Sequence, residues 1–334
     1  MLERLFFYFS MRIVFFGTPD FAVASLAALR EEGHDVAAVV TAPDKPAGRG
    51  QKTQVSAVKE YALKVEIEIL QPANLKDENF LTKLRTYEAP VFIVVAFRML
   101  PESVWNMPPL GTYNLHASLL PKYRGAAPIN RAVMNGDVRT GVTTFKLQQE
   151  IDTGSILLQE EQEIGPETTA GELYELLKEK GGRLLAKTVN LLDKCEREGK
   201  TPVFTRQDES AVSHAPKIFK DDCKIQWEEP ALVIHNQVRG LSPFPGAFTF
   251  LRAEGREAAH LKILRTRIAD DTAERTNGSL FAAGKDCLLV KCGTGTLEIL
   301  ELQLQGKRRM SAAEFRRGFR LQGNEYLGGR EKEE

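Results

Sequence analysis

Asn114 and His116 stand two residues apart in the run NLHASLLP (114–121). If that run is a strand, both side chains fall on one face, with Leu115 opposite. An amide is a hydrogen-bond donor and an imidazole is a proton carrier near neutral pH, so the two types together suit transfer chemistry. They equally suit a structural pair inside an apolar segment, and the residues alone leave both readings open. The loop that follows, within HASLLPKYRGAAPI (116–129), is stiffened by Pro121, which fixes φ and removes a donor. A stiff loop with free backbone amides suits a planar, hydrogen-bonding ligand. A third group, Asp152 in IDTG (151–154), is either the residue of a structural Asx-turn or an orienting carboxylate for the histidine. The same four letters match the signature of aspartic proteases. Those enzymes bring two such carboxylates together, whereas this chain has one copy inside an α/β pattern, so that chemistry is excluded.

The elements that must position these residues alternate. RIVFF (12–16) and DVAAVVT (35–41) read as strands around the helical DFAVASLAALREEG (20–33), which stops at Gly33. IEIL (67–70) and VFIVVAF (91–97) continue the series around the helical DENFLTKLRTY (77–87), and TYNLHAS (112–118) is a further strand. Strands apolar on both faces and separated by helices predict a doubly wound, mostly parallel α/β sheet, which binds ligands at the carboxyl ends of its strands. TGVTTFKLQ (140–148) and GSILLQEEQEI (154–164) read as later strands, followed by a long helix over 169–195. The polar stretch 196–215 reads as a linker. Beyond it, GAFTFL, HLKILRTRI, GSLFAA, CLLVKC and GTLEILEL are short strands with turn residues between them, the pattern of a small OB-like β-barrel over 216–334. At 334 residues, two domains are expected, with a first domain over 11–195. Met11 directly precedes the first good strand, so residues 1–10 are expected to be an extension from an alternative start.

Other features narrow the classes. Apolar residues at 43% and charged residues at 27% describe a soluble globular protein. Net charge is zero, yet residues 1–214 carry 25 basic and 28 acidic side chains while 215–329 carry 18 and 14. The C-terminal surplus would suit a polyanion, although so small an excess is also ordinary surface. Cys195, Cys223, Cys287 and Cys292 form no C-x-x-C pair, so neither zinc nor a disulfide framework is expected, and a reducing cytoplasm fits. No apolar run approaches the roughly 18 residues of a spanning helix. Gly17 in FFGTPDFA lacks the G-x-G-x-x-G pattern and reads as a tight strand-to-helix turn, with Asp20 near the helix start. DKPAGRGQKT (44–53) lacks the adjacent Gly-Lys-Ser/Thr of a phosphate loop. It is either a solvated connection or a finger reaching nucleic acid through Lys45, Arg49 and Lys52.

GTPDFA, APDKPAGRG, NLHASLLPKYRGAAPI, IDTG and VRGLSPFPGAFT occur in the order found in the methionyl-tRNA formyltransferases, and the resemblance runs from about Met11 to about Phe319. The Asn-x-His and Asp-x-Gly set is shared with the wider folate-dependent formyltransferases, including those acting on glycinamide ribonucleotide or amino sugars. The basic loop and RGLSPFPGAFT resemble the tRNA enzymes more specifically. The resemblance implies a doubly wound formyltransferase domain followed by a tRNA-binding barrel. It implies catalytic Asn114, His116 and Asp152, a folate-binding turn at Ser118, Leu119, Leu120 and Pro121, and an acceptor-end loop over roughly Ala42–Ser56, with Arg49 its key residue. Arg98 departs from the glycine of many members beside the pterin pocket, and QQEI (148–151) departs from their glycine-containing turn.

On this resemblance, the formyl donor is 10-formyltetrahydrofolate and the acceptor is the α-amine of initiator methionyl-tRNA. Asn114 and a protonated His116 would stabilise the tetrahedral oxyanion, and Asp152 would hold the imidazole's charge and take the amine's proton through water. No metal is required. A cytoplasmic monomer with no membrane association is expected. Two alternatives stand beside it: the same chemistry on a small amine such as an amino-sugar nucleotide, and a non-catalytic tRNA-binding protein of the same fold. The intact Asn114, His116 and Asp152 set argues against the second, and the basic loop and barrel argue against the first.

Overall fold

β1 (Arg12–Gly17) buries Ile13, Val14, Phe15 and Phe16 completely, so it needs cover on both faces. The structure, a computed structural model describing residues 10–47, 52–270, 274–284 and 286–329, supplies that cover through a doubly wound sheet. After Gly17 the chain turns sharply into α1 (Asp20–Glu31); a Cβ on Gly17 would lie 2.7 Å from that of Ala22. β2 (Asp35–Val40) then pairs with β1 in parallel. A hairpin of β3 (Lys45–Ala47) and β4 (Lys52–Gln54) precedes α2 (Ala57–Lys64), which Ser56 caps by accepting from the Lys59 amide. β5 (Glu68–Leu70) lies beside β2, and α3 (Glu78–Arg85), capped by Asp77, carries the chain across to β6 (Val91–Val95) on the other side of β1. Val14 and Phe16 pack with Phe80 and Leu84 of α3 and with Val104 of the short α4 (Glu102–Trp105). β7 (Gly111–His116) follows, parallel to β6.

The remaining sheet strands come after a short β8 (Arg124–Gly125) and α5 (Pro128–Met134). β9 (Arg139–Lys146) runs antiparallel to β7, β10 (Ile156–Glu163) forms the edge, and the long α6 (Ala170–Arg197) follows. The seven-stranded order is β10-β9-β7-β6-β1-β2-β5. The chain leaves β1 toward β2 and returns on its other side at β6. That reversal opens a crevice at the carboxyl ends of β1 and β6, with β7 next to it, which is where open α/β sheets bind ligands.

The C-terminal part contains β11 (His214–Ala215), α7 (Ala231–Leu241), β12 (Ala247–Arg252), β13 (Ala259–Ala269), β14 (Leu280–Ala283), β15 (Cys287–Lys291), β16 (Thr296–Leu304), β17 (Met310–Ser311), α8 (Ala312–Gly318) and β18 (Tyr326–Leu327). A second seven-stranded sheet runs β14-β15-β16-β13-β12-β18, with β17 on β16. A bridge between Ser279 and Tyr326 closes it into a barrel. The all-β expectation needs amendment, because α7 supplies Ile234, Val238 and Leu241 to the barrel's core.

Two compact units result. The first gathers the described residues up to Gly125 with Thr140–Gln162 and Tyr174–His214; the second gathers Ala126–Arg139, Glu163–Leu173 and the described residues from Ala215 onward. Residues 196–214, expected as an exposed linker, thus group with the first unit. Thr205 and Ile156 exchange backbone hydrogen bonds of 2.8 Å each way, Phe204 stacks on Tyr113, and Gln207 is only 4% exposed. Most of the stretch is exposed as expected, but Gln207 turns inward to the 152–154 carbonyls and Ser213 and Glu209 bond to Tyr123 and Arg124. The expected extension at 1–10 lies outside the described residues apart from Ser10.

His34 closes the turn between α1 and β2, where its Nδ1 accepts from the Met11 amide at 3.3 Å. Burial, the largest influence, pushes its pKa below the usual histidine value, against the upward pull of Asp193, Glu32 and Asn190. With the folded pKa below the unfolded one, the unfolded chain takes up protons first. Stability is therefore lost as pH falls through about 6.5 and the loss levels off below the folded value. His34→Asn keeps an acceptor for the Met11 amide and removes the titration. We expect its melting temperature to fall less than wild type between about pH 7 and pH 5. Parallel melting curves across that range would remove His34 from the acid response.

Candidate active site

β7 presents Asn114 and His116 on one face near its carboxyl end, and its register sets Asn114 beside Val94 of β6 and Phe145 of β9. Leu115, on the opposite face, is 4% exposed. Asn114 is half-buried and its side-chain amide has no hydrogen bond with a described residue. A strand amide left unspent at a crevice is available to a ligand. His116 is different, being buried and held. Its Nε2 lies 2.8 Å from the carbonyl oxygen of Tyr123, which can only accept, so Nε2 carries the hydrogen. Nδ1 is left facing Asp152, whose Oδ2 is 3.8 Å away, too far for a direct hydrogen bond.

Asp152 sits at φ 56° in the 150–155 turn, a left-handed conformation that Asp tolerates better than most residues. Its Oδ2 accepts from the Gly125 amide at 2.9 Å, while its own carbonyl oxygen accepts from Gln207 Nε2 at 2.7 Å. Gln207 Nε2 also donates to the Gly154 carbonyl at 2.8 Å. Both Nε and Nη2 of Arg124 donate to Gln207 Oε1, at 3.0 and 2.8 Å, and the guanidinium is further pinned by Glu209. The single Asp of IDTG is therefore beside the histidine, as one of its two sequence readings required, and it is not simply an Asx-turn residue.

The turn at Ser118, Leu119, Leu120 and Pro121 begins two residues after His116 and contains a cis peptide bond before Pro121. Its polar groups are largely spent on the protein. Ser118 Oγ donates to the Lys122 carbonyl, Thr143 Oγ1 donates to the Ser118 carbonyl, and the Leu120 amide donates to Thr143 Oγ1. Gln159 Nε2 donates to both the Leu120 carbonyl and Thr143 Oγ1, each at 2.9 Å. The expectation of free amides fails at Leu120, because a stiff turn here is obtained by satisfying the turn from behind. Beneath it, Leu120 packs with Phe145 and Ile156.

Of the basic loop, Lys45 is exposed on β3, the side chain of Lys52 is not described, and Arg49 lies outside the described residues. The base of the hairpin is tied down. Asp44 pairs with Lys59 and accepts from Gln71 Nε2 at 2.7 Å, while Thr41 and Ser56 share a hydroxyl hydrogen bond of 2.7 Å. Lys59 is the main cause that holds the Asp44 carboxyl below its ordinary pKa. Arg98 turns to the 72–73 loop, where its Nη1 and Nη2 donate to the Ala73 and Pro72 carbonyls at 3.0 and 2.5 Å. Among the described residues no cluster of three His, Cys, Asp or Glu is placed to hold a metal, and no helix is long and apolar enough to cross a membrane.

The residues that sequence reasoning did not single out are Arg124, Thr143, Gln159 and Gln207. Arg124 lay inside a motif quoted for other reasons. Gln207 lay in a run, RQDES, whose polarity read as exposure. Thr143 is a buried hydroxyl on β9 that serves the neighbouring turn, whereas Gln159 is exposed on the edge strand β10 and its polarity reads as ordinary surface.

Residues 11–189 match the family model described as formyl transferase, and 217–320 match the formyl transferase C-terminal domain. A methionyl-tRNA formyltransferase of Porphyromonas gingivalis is 50% identical over 322 residues, covering 95% of this chain and 98% of the relative. One from Moorella thermoacetica is 44% identical over 319 residues, covering 95% and 99%. Among solved structures, an N-formyltransferase from Helicobacter canadensis in complex with folinic acid and dTDP-3-aminofucose superposes with TM-score 0.61 at 19% identity, covering 90% of this chain and all of that one. HypX from Aquifex aeolicus in complex with tetrahydrofolic acid gives 0.60 at 17%, covering 91% of this chain and 46% of that one. These two likenesses establish the fold. With the formyl transferase model spanning more than half the chain and relatives half identical along nearly its whole length, the chain belongs to the methionyl-tRNA formyltransferase family.

Proposed function

We propose that the chain transfers the formyl group of 10-formyltetrahydrofolate to the α-amine of initiator methionyl-tRNA. The observation that carries the reaction is the unspent amide of Asn114 beside a buried imidazole whose only outward nitrogen faces a carboxylate across 3.8 Å. In the reaction the neutral amine attacks the formyl carbon, forming the new C–N bond and a tetrahedral intermediate with an oxyanion. Asn114 Nδ2 donates to that oxygen, and so does Nδ1 of the protonated His116 ring, since Nε2 is committed to Tyr123. The carboxylate of Asp152 compensates the imidazolium and receives the amine's proton through a water. Collapse breaks the bond to N10 of the folate, which leaves with a proton, so one proton lost by the amine balances one gained by N10.

Several groups suit the two substrates. The rigid Ser118–Pro121 turn adjoins the reacting groups and would seat the folate, with Leu119 offering apolar surface and Leu120 anchoring the turn from beneath. The basic segment 44–53, with Lys45, Arg49 and Lys52, would receive the acceptor end of the tRNA, with the barrel as a further tRNA surface. The charge surplus there is partly consumed locally, as Arg265, Arg267, Arg308 and Arg309 each pair with a glutamate. The reading takes the enzyme to be a cytoplasmic monomer. The amino-sugar and binding-only alternatives gain no support of comparable weight.

Asn114→Ala and His116→Ala should each lower kcat by ~10²–10³ while leaving folate affinity nearly unchanged, because the lost donors act mainly in the transition state. Steady-state kinetics with charged initiator tRNA and folate titration test this together; a raised KM with normal kcat would contradict the assignment. Separately, Arg49→Ala should reduce kcat/KM for methionyl-tRNA by ~10²-fold through misplacement of the ester, with the folate dissociation constant unchanged. Arg49→Lys should stay impaired, since an ammonium lacks the guanidinium fork. Equal losses in both quantities would mean a pocket defect, and no loss would make residues 44–53 an ordinary surface loop.

A further inference from the structure

We infer that Gln207 is a positioning residue for the carboxylate of Asp152, acting from the stretch that the sequence presents as a linker. The inference rests on the role given to Asp152 above. One amide nitrogen spans the carbonyl oxygens on either side of Thr153, at 2.7 Å to Asp152 and 2.8 Å to Gly154. Those two contacts fix the turn that holds Asp152 at φ 56°, and so fix the direction in which its side chain leaves the backbone. The amide cannot face the other way, because Oε1 is claimed by two N–H groups of Arg124. The circuit then closes. Arg124 precedes Gly125, and the Gly125 amide donates to Asp152 Oδ2 at 2.9 Å. The carboxylate is gripped at its oxygen by one arm of this circuit and at its backbone by the other.

Burial makes the arrangement stiff. Gln207 is 4% exposed, Arg124 is 7% and Asp152 is 8%, so no donor in the chain is readily replaced by water. The strand that carries Arg124 is itself held to the same stretch, because the Arg124 amide donates to the Ser213 carbonyl at 2.9 Å. The Tyr123 amide donates to Ser213 Oγ, also at 2.9 Å. Tyr123 supplies the oxygen that orients His116. Residues 207–213 therefore set both sides of the 3.8 Å gap between His116 Nδ1 and Asp152 Oδ2.

The test is Gln207→Glu, with Gln207→Met as a neutral companion. The first keeps the length and the acceptor for Arg124 but has no N–H for the two carbonyls; the second lacks both functions at similar volume. Both should lower kcat by ~10–100-fold, with the dissociation constant of 5-formyltetrahydrofolate unchanged, because sub-ångström misplacement is felt in the reacting geometry. In an Asp152→Asn background, Gln207→Glu should cost little more, because residues acting through one group are not additive. Additive losses overturn the inference, as do losses of folate affinity that match the loss of kcat, or failure of both variants to fold. Asp152→Asn alone with wild-type turnover overturns the role of Asp152 itself, and that single variant reports it independently of Gln207.

Discussion

The hydrogen bond from His116 Nε2 to the Tyr123 carbonyl commits one ring nitrogen to the backbone and leaves the other for chemistry. Much of the site follows from it. The ring plane is fixed, so the partner of Nδ1 must come from the one direction where Asp152 lies. Tyr123 must in turn present its oxygen inward, which it does at φ 62°, a conformation that a bulky residue adopts only when its surroundings hold it there. Ser213 holds the Tyr123 amide, and Ser118 Oγ takes up the neighbouring Lys122 carbonyl. A backbone oxygen is a durable choice of orienting group, since no side-chain substitution removes it.

How much of this was legible depended on what each residue's polarity meant. β1 and β6 were plain in the sequence because strands buried on both faces are apolar without a break. Asn114, His116 and Asp152 stood out because polar side chains inside such runs need a reason. The helix α7 was hidden by the same rule applied the other way. Its buried side includes His235, Asn236 and Arg239 as well as Ile234 and Val238, so no clean apolar stripe marks it. Arg239 is accommodated there by Asn236 Oδ1 and the Thr168 carbonyl, contacts that only the folded chain reveals. Gln207 was hidden likewise. A local pattern cannot tell a polar side chain that faces water from one, in the same exposed run, that faces carbonyls 53 and 55 residues away in sequence.

Arg98, where the resemblance leads one to expect glycine, is held by backbone carbonyls of another loop. Its guanidinium reaches back to the Pro72 and Ala73 carbonyls and lies near the Phe97 ring, so the added charge serves as a strap between the loops that follow β5 and β6. The QQEI departure takes another route. Residues 148–151 are exposed, so their side chains are free to differ while the following Asp152 stays buried.

The satisfied turn at Ser118–Pro121 has a thermodynamic consequence. A loop whose carbonyls and amide are already bonded to Thr143 and Gln159, and whose Ser118 hydroxyl is spent on the Lys122 carbonyl, has surrendered its conformational freedom during folding, before any ligand arrives. A ligand that settles on it therefore meets a surface with little disorder left to lose, and the entropy cost of association falls mostly on the ligand's own rotation and translation. The calorimetric signature should be dominated by the heat capacity change from apolar area covered at Leu119, with no component from ordering of the turn. Affinity at such a surface is set by the fold's stability, since whatever loosens Thr143 or Gln159 moves the ordering cost from the folding reaction into the binding one.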